Sequence, residues 1–305
     1  MTAPLLVLGS VNADLYVALE RLPARGETVS GRDTAVRPGG KGANQAAAAA
    51  RLGIATWFAG QVGNDAYAHP LRAALAEAGV NLDLLGEAPG ETGQAFILLL
   101  ADGENAIVAV PGANRAWSDL PSAVRARLPG CGALLLQREV PEAINLTAAR
   151  VAVAAGVPVV LDAGGADDPL PAELLPLLTV LSPNETELAR LTRLPTGSDA
   201  EVLTAARALQ ARGVGTVLVK LGGRGSLLVP RAGEPIRQGI VPVPVVDTTG
   251  AGDCFTAAYT VALLEGQPEA ERLRFATAAA ALCVQRLGAM PSMPTRAEVE
   301  ALLRR

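Results

Sequence analysis

The sequence predicts an α/β fold: a doubly wound, mostly parallel central sheet flanked by helices, with a small β-sheet lid. From residue 134 onward, short apolar runs alternate with helix-like segments, which is the order of βαβ units. Polar residues stand at the ends of several runs, where open α/β sheets place their ligands. Two apolar segments, 95–100 and 106–110, flank the turn sequence ADGEN, a hairpin pattern that predicts the separate small sheet.

Composition limits the classes of protein to consider. The 305 residues are half hydrophobic, and the net charge is −4 with no basic block, which disfavours nucleic-acid binding. Three widely spaced cysteines suggest neither a disulfide framework nor a zinc site, and the single His69, expected on a surface helix, cannot build a histidine-rich metal centre. No signal peptide or run of about 18 apolar residues is present, so a cytoplasmic protein of one domain, 1–305, is expected.

The first elements place polar side chains after a buried strand. Leu5–Leu8 is an apolar run that ends at Gly9 and is followed by SVNAD. Asn12 and Asp14 could hydrogen-bond a polyol at this strand end, or form an ordinary Asx turn. Loose alternation over 14–37 predicts two short strands around the turn PARGET.

The segment RPGGKGANQAAAAARLG changes this pattern at residues 37–53. Gly39, Gly40 and Gly42 precede an alanine-rich helix predicted over about 43–52, which ends at Gly53. The spacing matches neither a Walker A loop nor a dinucleotide fingerprint. Glycines beside a helix start nevertheless suit close approach of a small ligand.

The remaining elements follow from the same periodicities. Strands are predicted at 54–59, 133–137, 157–161, 179–182 and 215–220, and helices at 65–78, 141–155, 199–212, 269–285 and 295–303. Polar residues or glycine follow these strands at Glu139, Asp162, Asn184, Lys220 and Gly222. Because parallel strands end at the same edge of a sheet, these residues are predicted to share one site.

The stretch DTTGAGDCFTAAYTVALL, 247–264, combines a glycine turn with an apolar helix pattern. Gly250 and Gly252 allow consecutive N–H groups to face an anion at the helix N-terminus. Asp253, at the predicted helix start, would repel that anion. It is therefore either a group that takes a proton from an attacking hydroxyl or a simple helix cap.

Taken in order, these motifs resemble the ribokinase family of carbohydrate kinases over nearly the whole chain. The matching segments are SVNADL at 10–15, GETVSG at 26–31, GGKGANQA at 39–46, PGAN at 111–114, LLLQREVP at 134–141, SPNETEL at 182–188, LVKLGGRGS at 218–226, DTTGAGDCF at 247–255 and GAMPSMP at 288–294. The resemblance implies a doubly wound α/β domain, a β lid formed here by about 14–38 and 93–111, and a homodimer through the lids. It also implies ATP-dependent phosphorylation of a furanose primary hydroxyl, typically O5 of D-ribose.

The resemblance assigns residues to the sugar and to catalysis. Asp253 would be the catalytic base, and Gly250, Ala251 and Gly252 would form the anion hole. The positions matching the family's sugar site are Asn12, Asp14, Gly40, Lys41, Gly42, Ala43, Asn44, Glu139 and Asp253.

The resemblance likewise implies ATP, Mg²⁺ and K⁺ as cofactors. Asn184 and Glu187 would organise Mg²⁺ indirectly, through its waters. The ATP positions are Asn184, Lys220, Leu221, Gly222, Gly223, Arg224, Gly225, Gly252 and Thr277, and the K⁺ positions are Asp247, Thr249, Cys283, Arg286, Gly288 and Ser292. Two departures concern the nucleotide side: DAGGADDP at 162–169 replaces an asparagine-proline-alanine-proline run, and Thr277 stands where histidine is frequent.

Two other functions stay open on the sequence. A kinase of the same family could act on another sugar or a nucleoside. A sugar- or nucleotide-sensing module without catalysis is the alternative from another class, although retention of Asp253, both anion-hole glycines and Asn184 with Glu187 argues against it. A dehydrogenase is disfavoured because no dinucleotide fingerprint follows the first strand.

Overall fold

A computed structural model describes residues 2–100 and 105–304. Within these residues the strands are β1 Leu5–Leu8, β2 Asn12–Leu19, β3 Asp33–Gly39, β4 Thr56–Val62, β5 Leu85–Glu87, β6 Gly93–Leu100, β7 Asn105–Val110, β8 Ala133–Leu136, β9 Val159–Asp162, β10 Val180–Ser182, β11 Thr216–Lys220, β12 Ser226–Val229 and β13 Ile236–Gln238. The α-helices are α1 Lys41–Arg51, α2 Ala68–Glu77, α3 Ser122–Arg127, α4 Glu142–Ala154, α5 Glu185–Thr192, α6 Asp199–Ala211, α7 Ala251–Leu264, α8 Glu269–Cys283 and α9 Arg296–Leu303.

Nine strands form the main sheet, in the order β13-β12-β11-β10-β9-β8-β1-β4-β5. The seven from β11 to β5 are parallel, whereas β12 and β13 add antiparallel pairs at one edge. The carboxyl ends of the parallel strands therefore meet along one side of the sheet. The predicted fold class is confirmed.

Alternating side chains of the central strands divide the core between the two faces of the sheet. Leu5 and Val7 of β1 pack with α1, α7 and α8, while Leu6 and Leu8 pack with α4 and α6 on the opposite face. Strands buried on both faces are apolar throughout, as the short runs predicted. Alanines at 46–49 of α1 are fully buried, and their small side chains let α1 lie close against α7.

A separate four-stranded sheet has the order β3-β2-β6-β7. Strands β2 and β6 are parallel, and the two outer pairs are antiparallel. Strand β2 begins at Asn12, directly after β1, so the small sheet starts at the carboxyl edge of the main one. The predicted ADGEN turn between β6 and β7 includes residues 101–104, which lie outside the described residues.

Several predicted boundaries were wrong for local reasons. Helix α1 begins at Lys41 instead of 43, since Gly40 at φ 89° turns the chain into the helix. Helix α2 begins at Ala68 instead of 65, because residues 65–67 form a turn in which the Asp65 carboxylate accepts the Tyr67 N–H at 3.1 Å. Strand β4 covers Thr56–Val62 instead of 54–59. The elements β5, β12, β13, α3 and α5 were not predicted.

In the part of the chain that the structure describes, no helix is both long enough and apolar enough to cross a membrane.

Candidate active site

The carboxyl ends of the parallel strands border a cavity of about 820 Å³. Residues at the ends of β9 and β11, residues 184–187 after β10 and the N-terminus of α7 line it, together with an apolar stretch at 240–245. Of the predicted site residues, the lining includes Lys41, Asn184, Glu187, Lys220, Gly222, Gly223, Gly225, Gly250, Ala251, Gly252, Asp253 and Thr277. Of the five predicted strand-end residues, Asp162, Asn184, Lys220 and Gly222 line the cavity, whereas Glu139 lies against the start of α1.

Asp253 lies inside the first turn of α7, because the helix begins at Ala251 after Gly250 at φ 78°. No side-chain hydrogen bond caps this helix. The Asp253 carboxylate instead accepts Asn44 Nδ2 at 2.9 Å and Gln45 Nε2 at 3.0 Å from α1. The helix-cap interpretation is therefore wrong for this side chain.

The surroundings of Asp253 make its carboxylate a stronger base than an exposed aspartate. Its side chain is 6% exposed, and Lys41 Nζ lies 4.0 Å from Oδ1. Burial raises the pKa of Asp253, while the positive charge of Lys41 opposes that rise. A raised pKa brings a general base closer to neutrality, where proton transfer is most effective.

The predicted sugar residues lie where β1 passes into the small sheet. Asn114 Nδ2 donates to Asn12 Oδ1 at 2.7 Å, which fixes the Asn12 amide. Burial and the charges of Glu139 and Asp253 raise the pKa of Asp14 to about 7. The Asn44 Oδ1 atom is buried with no hydrogen-bond partner. The Asn44 oxygen therefore lacks a donor, and a hydroxyl of a polyol would supply one.

The start of α1 is held against β1 by close backbone contacts. The Ala43 N–H donates to Ser10 O at 2.9 Å, and a Cβ at Gly42 would lie 2.7 Å from the Gly9 backbone. Glu139 accepts the Lys41 N–H at 3.0 Å and also the Ser10 hydroxyl. Only glycine fits at position 42, so the GGKG sequence allows α1 to approach the strand.

A buried ion pair lies where β9 and β11 end at the cavity. Lys220 Nζ is 2.6 Å from Asp162 Oδ2, which also accepts the Thr256 hydroxyl at 2.7 Å. Burial alone would raise the pKa of Asp162, but Lys220 and Lys41 hold it below the ordinary value. A Cβ at Gly252 would lie 3.8 Å from Lys220 Nζ, so this ammonium group faces the N-terminus of α7.

Asn184 and Glu187 form a capping box at the start of α5. Asn184 Oδ1 accepts the Glu187 N–H at 2.8 Å, and Glu187 Oε2 accepts the Asn184 N–H at 2.7 Å. The second carboxylate oxygen of Glu187 remains for another partner. Burial raises the pKa of the Glu187 carboxyl group. No cluster of three or more His, Cys, Asp or Glu in the described ranges could hold a metal directly. The carboxylate oxygen of Glu187 is of the ligand type that Mg²⁺ accepts, directly or through water.

Two predicted nucleotide residues do not line the cavity. Leu221 is buried in the core, and Arg224 forms ion pairs with Glu185 and Asp199. Their backbone shapes the turn that carries Gly222, Gly223 and Gly225. Thr277 does line the cavity, and its buried hydroxyl has no partner.

The predicted K⁺ residues fall into two hydrogen-bonded groups. Asp247 accepts the Thr249 N–H at 2.9 Å, the Thr249 hydroxyl at 2.7 Å and the Gly288 N–H at 2.8 Å. Cys283 Sγ lies 3.0 Å from Ser292 Oγ, and the Arg286 side chain turns to Glu298. Burial would raise the pKa of Asp247, but the hydrogen bonds from Thr249 and Gly288 keep it low. The positive charge of Arg37 also lowers this pKa, so the Asp247 carboxylate is ionised, and its oxygens are of a type that suits a cation.

Sequence reasoning missed four polar residues of this site: Gln45, Asn114, Gln137 and Thr256. Gln45 lies within GGKGANQA beside Asn44, and Thr256 comes three residues after Asp253 on the same helix, so helical spacing could have indicated both. Gln137 Nε2 donates to Gln45 Oε1 at 2.6 Å. That contact joins residues 92 positions apart and left no local signal.

Comparisons with known proteins are consistent with this geometry. The pfkB family, described as carbohydrate kinases, matches residues 3–296. A ribokinase of Arabidopsis thaliana is 49% identical over 307 residues, covering 99% of this chain and 81% of that protein. A ribokinase of Haemophilus influenzae is 37% identical and covers 98% of this chain and 97% of that protein. The solved structure of the Arabidopsis ribokinase complexed with ribose and ATP superposes with a TM-score of 0.96 at 48% identity, and each chain is covered completely.

Proposed function

The chain belongs to the pfkB family of carbohydrate kinases, and we propose that it transfers the γ-phosphate of ATP to O5 of D-ribose. One observation supports this most: Asp253 is buried near the carboxylates of Asp14 and Glu139 and also lines the cavity that contains Lys220 and the N-terminus of α7. A base located there reaches a sugar hydroxyl on one side and a phosphate on the other.

The sugar cleft orients the acceptor in this proposal. Asn12, Asp14, Asn44 and Glu139, with the α1 start at Gly40, Lys41, Gly42 and Ala43, hold the ribose hydroxyls. Because the Asp253 carboxylate is fixed by Asn44 and Gln45, it can accept the O5 proton without reorienting. Removing this proton as O5 attacks makes the hydroxyl a better nucleophile.

Residues on the nucleotide side stabilise the negative charge of the transferring phosphoryl group in this proposal. The N–H groups of Gly250, Ala251 and Gly252 face the transferring phosphoryl group, where the positive end of α7 favours negative charge. Lys220 adds an ammonium beside Gly252. Asn184, Gly222, Gly223, Gly225 and Thr277 hold the nucleotide, and Leu221 and Arg224 support the turn from outside. Phosphoryl transfer depends on such positioning more than on covalent chemistry.

Two cations complete the proposed site. Glu187, with Asn184, would hold Mg²⁺ through water, and the metal would neutralise charge on the phosphates. K⁺ would lie behind the anion hole, held by the Asp247 carboxylate, the Thr249, Cys283, Arg286 and Gly288 carbonyls, and Ser292. The ionised Asp247 carboxylate, oriented by Thr249 and Gly288, supports this assignment.

The test is ADP release with ribose, deoxyribose, fructose and a set of nucleosides as acceptors, each with and without K⁺. We expect the highest kcat/KM with ribose. Preference for another sugar or a nucleoside would keep the enzyme class and change the acceptor. Ligand binding without transfer to any acceptor would support the sensing module, against which the retained Asp253 argues.

We also propose that residues 1–305 form one domain with the small sheet as its lid, and that two chains associate through these lids. The support is a set of exposed apolar residues on the small sheet: Val36, Leu99, Ile107, Val108 and Val110. The cytoplasm stays a prediction from the sequence. Three free, buried cysteines suit a reducing compartment.

A further inference from the structure

A chain of buried amides leads from the central sheet to Asp253. It begins at Gln137, which follows the carboxyl end of β8. Gln137 Nε2 donates to Gln45 Oε1 at 2.6 Å, and Gln45 Nε2 donates to Asp253 Oδ1 at 3.0 Å. Both glutamines are fully buried. The chain therefore joins three separate parts of the fold: the sheet, α1 and α7.

The Gln137 end of this chain is itself fixed. Asn145 Nδ2 of α4 donates to the backbone carbonyl of Gln137 at 2.8 Å. A Cβ at Gly9 would lie 1.9 Å from Gln137 Oε1, so glycine at this position makes the space that the amide occupies. Helix α4 thus holds the Gln137 backbone, while the side chain, whose Oε1 has no hydrogen-bond partner, is held by its bond to Gln45 and by the space at Gly9.

The direction of the hydrogen bonds has a chemical consequence. Each glutamine has one carbonyl and one amino group, so Gln137 donating to Gln45 Oε1 leaves the Gln45 amino group for Asp253. Asn44 Nδ2 occupies the other oxygen, Oδ2. Both carboxylate oxygens are thus held by neutral donors, and their remaining lone pairs have one defined orientation.

Neutral donors suit this position better than cationic ones. An arginine or a second lysine against Asp253 would favour the ionised form more strongly and weaken the base. Two amides orient the carboxylate and add no charge to a site that receives a polyphosphate. Lys41, Asp14 and Asp162 are the charged groups that act on Asp253 from the surrounding elements.

We propose that Gln45 and Gln137 are positioning residues for the catalytic base: Gln137 orients Gln45, and Gln45 orients Asp253. The proposal rests on Asp253 being the base of the proposed phosphotransfer. Neither glutamine touches the sugar or the nucleotide in this scheme. Their substitution should therefore affect kcat and leave the KM values for ribose and ATP nearly unchanged.

The decisive experiment is a double-mutant cycle with near-isosteric, apolar replacements. Gln45→Met should lower kcat about 10- to 100-fold, the effect of losing one hydrogen bond to a charged group. Gln137→Met should lower kcat less, about three- to tenfold, because the Gln45 donor remains but can rotate. The double variant should match Gln45→Met alone, since Gln137 acts only through Gln45.

The pH dependence separates positioning from a general loss of structure. Loss of the Gln45 donor removes stabilisation of the ionised Asp253, so the acidic limb of kcat should move to higher pH in Gln45→Met. Gln210→Met is the matched control. Gln210 joins α6 to the carbonyls of Gly215 and Val229 at 2.9 and 3.0 Å, and its loss should leave kcat and the pH limb unchanged.

Three results would overturn the proposal: multiplicative losses in the double variant, a rise in KM with kcat preserved, or an unchanged acidic limb in Gln45→Met. If Gln45→Met does not fold, Gln137→Met alone tests the same chain through the pH limb. The pKa of Asp253 can also be measured without turnover, by infrared titration of the wild type and of Gln45→Met. In each background the Asp253 signal is the difference from the same protein carrying Asp253→Asn. It should show the pKa shift even if ribose is not the acceptor, and an unshifted pKa overturns the proposal separately from the function.

Discussion

Lys220 Nζ lies 2.6 Å from Asp162 Oδ2, and each residue is the last of its strand, β11 and β9 respectively. Strand β10 separates the two strands, so the pair spans the carboxyl edge of the sheet below the cavity. Asp162 therefore supplies a buried negative charge that neutralises a lysine facing the N-terminus of α7.

Asp162→Asn should destabilise the nucleotide-free protein and increase its response to ATP. Without the carboxylate, Lys220 is left buried and unpaired beside Lys41, at a cost of about 3 kcal/mol in the free energy of unfolding. A bound triphosphate would replace the lost charge. Thermal unfolding with and without MgATP should show a Tm about 5–10 °C lower without nucleotide and a larger gain with it.

The control is Asp119→Asn, which breaks the exposed pair with Arg125 at 2.8 Å. Such surface pairs contribute at most about 1 kcal/mol, so both Tm values should stay near wild type. An equal MgATP gain in Asp162→Asn and wild type would show that Asp162 does not balance Lys220 against the nucleotide.

Periodicity predicted the main sheet because buried parallel strands such as Leu5–Leu8 are apolar throughout. It failed at the antiparallel edge: β13, Ile236–Gln238, has only three residues and partly exposed side chains, too short to show a period. The start of α1 was missed because Gly40 at φ 89° sets it, and a backbone angle leaves no apolar pattern.

The site residues were predicted from sequence motifs, and the contacts between residues of different motifs were not predicted. Asp253 and Lys220 were found because each follows a glycine turn or a strand. The partner of Asn12 is Asn114, 102 positions away, and no property of either segment alone indicates the other. Asp253 and its charge partners were thus accessible from sequence, whereas the amides of Asn114 and Gln137, which act across long sequence separations, were not.

Asp253→Asn should abolish most of the turnover and keep the sugar bound. The amide cannot accept the O5 proton, and general-base catalysis contributes about 10²- to 10⁴-fold. Steady-state kinetics should show a loss of that size in kcat, while calorimetry should give a ribose Kd close to that of wild type. Turnover at the wild-type rate would remove Asp253 from the proposed role.

Asp14 should make the protein less stable as pH rises. Its folded pKa is about 7, above the ordinary value of 3.8, because of burial and of Glu139 and Asp253. The folded state therefore binds the proton more tightly than the unfolded state. Stability is full below pH 3.8 and is lost up to about pH 7, by roughly 1.4 kcal/mol per pH unit.

Asp14→Asn should remove this dependence and raise the free energy of unfolding at pH 8 by a few kcal/mol, at the cost of sugar binding. Urea unfolding at pH 5, 6, 7 and 8 measures it. The exposed Asp83→Asn is the control, with no expected change in slope. A parallel pH profile for Asp14→Asn and wild type would mean that Asp14 keeps an ordinary pKa.

Asp247→Asn should remove the response to K⁺. The carboxylate is the one side-chain charge among the proposed K⁺ ligands, and an amide would hold the ion far more weakly. Replacing N-methylglucamine by K⁺ should raise both Tm and kcat in wild type and neither in the variant. A K⁺-dependent Tm gain of wild-type size in Asp247→Asn would place the cation elsewhere or exclude it.

Val108→Glu should convert the proposed dimer to monomers. Val108 lies on β7 at the edge of the small sheet and is 57% exposed, so the free chain tolerates a charge there. Burying that charge in a lid–lid interface, against the apolar residues of a second copy, would cost several kcal/mol. Light scattering after size exclusion should give the mass of two chains for wild type and of one for the variant.

Val153→Glu on α4, also exposed in the wild-type chain, should stay dimeric because it lies away from the small sheet. A Val108→Glu protein that keeps the dimer mass would locate the interface outside the lid.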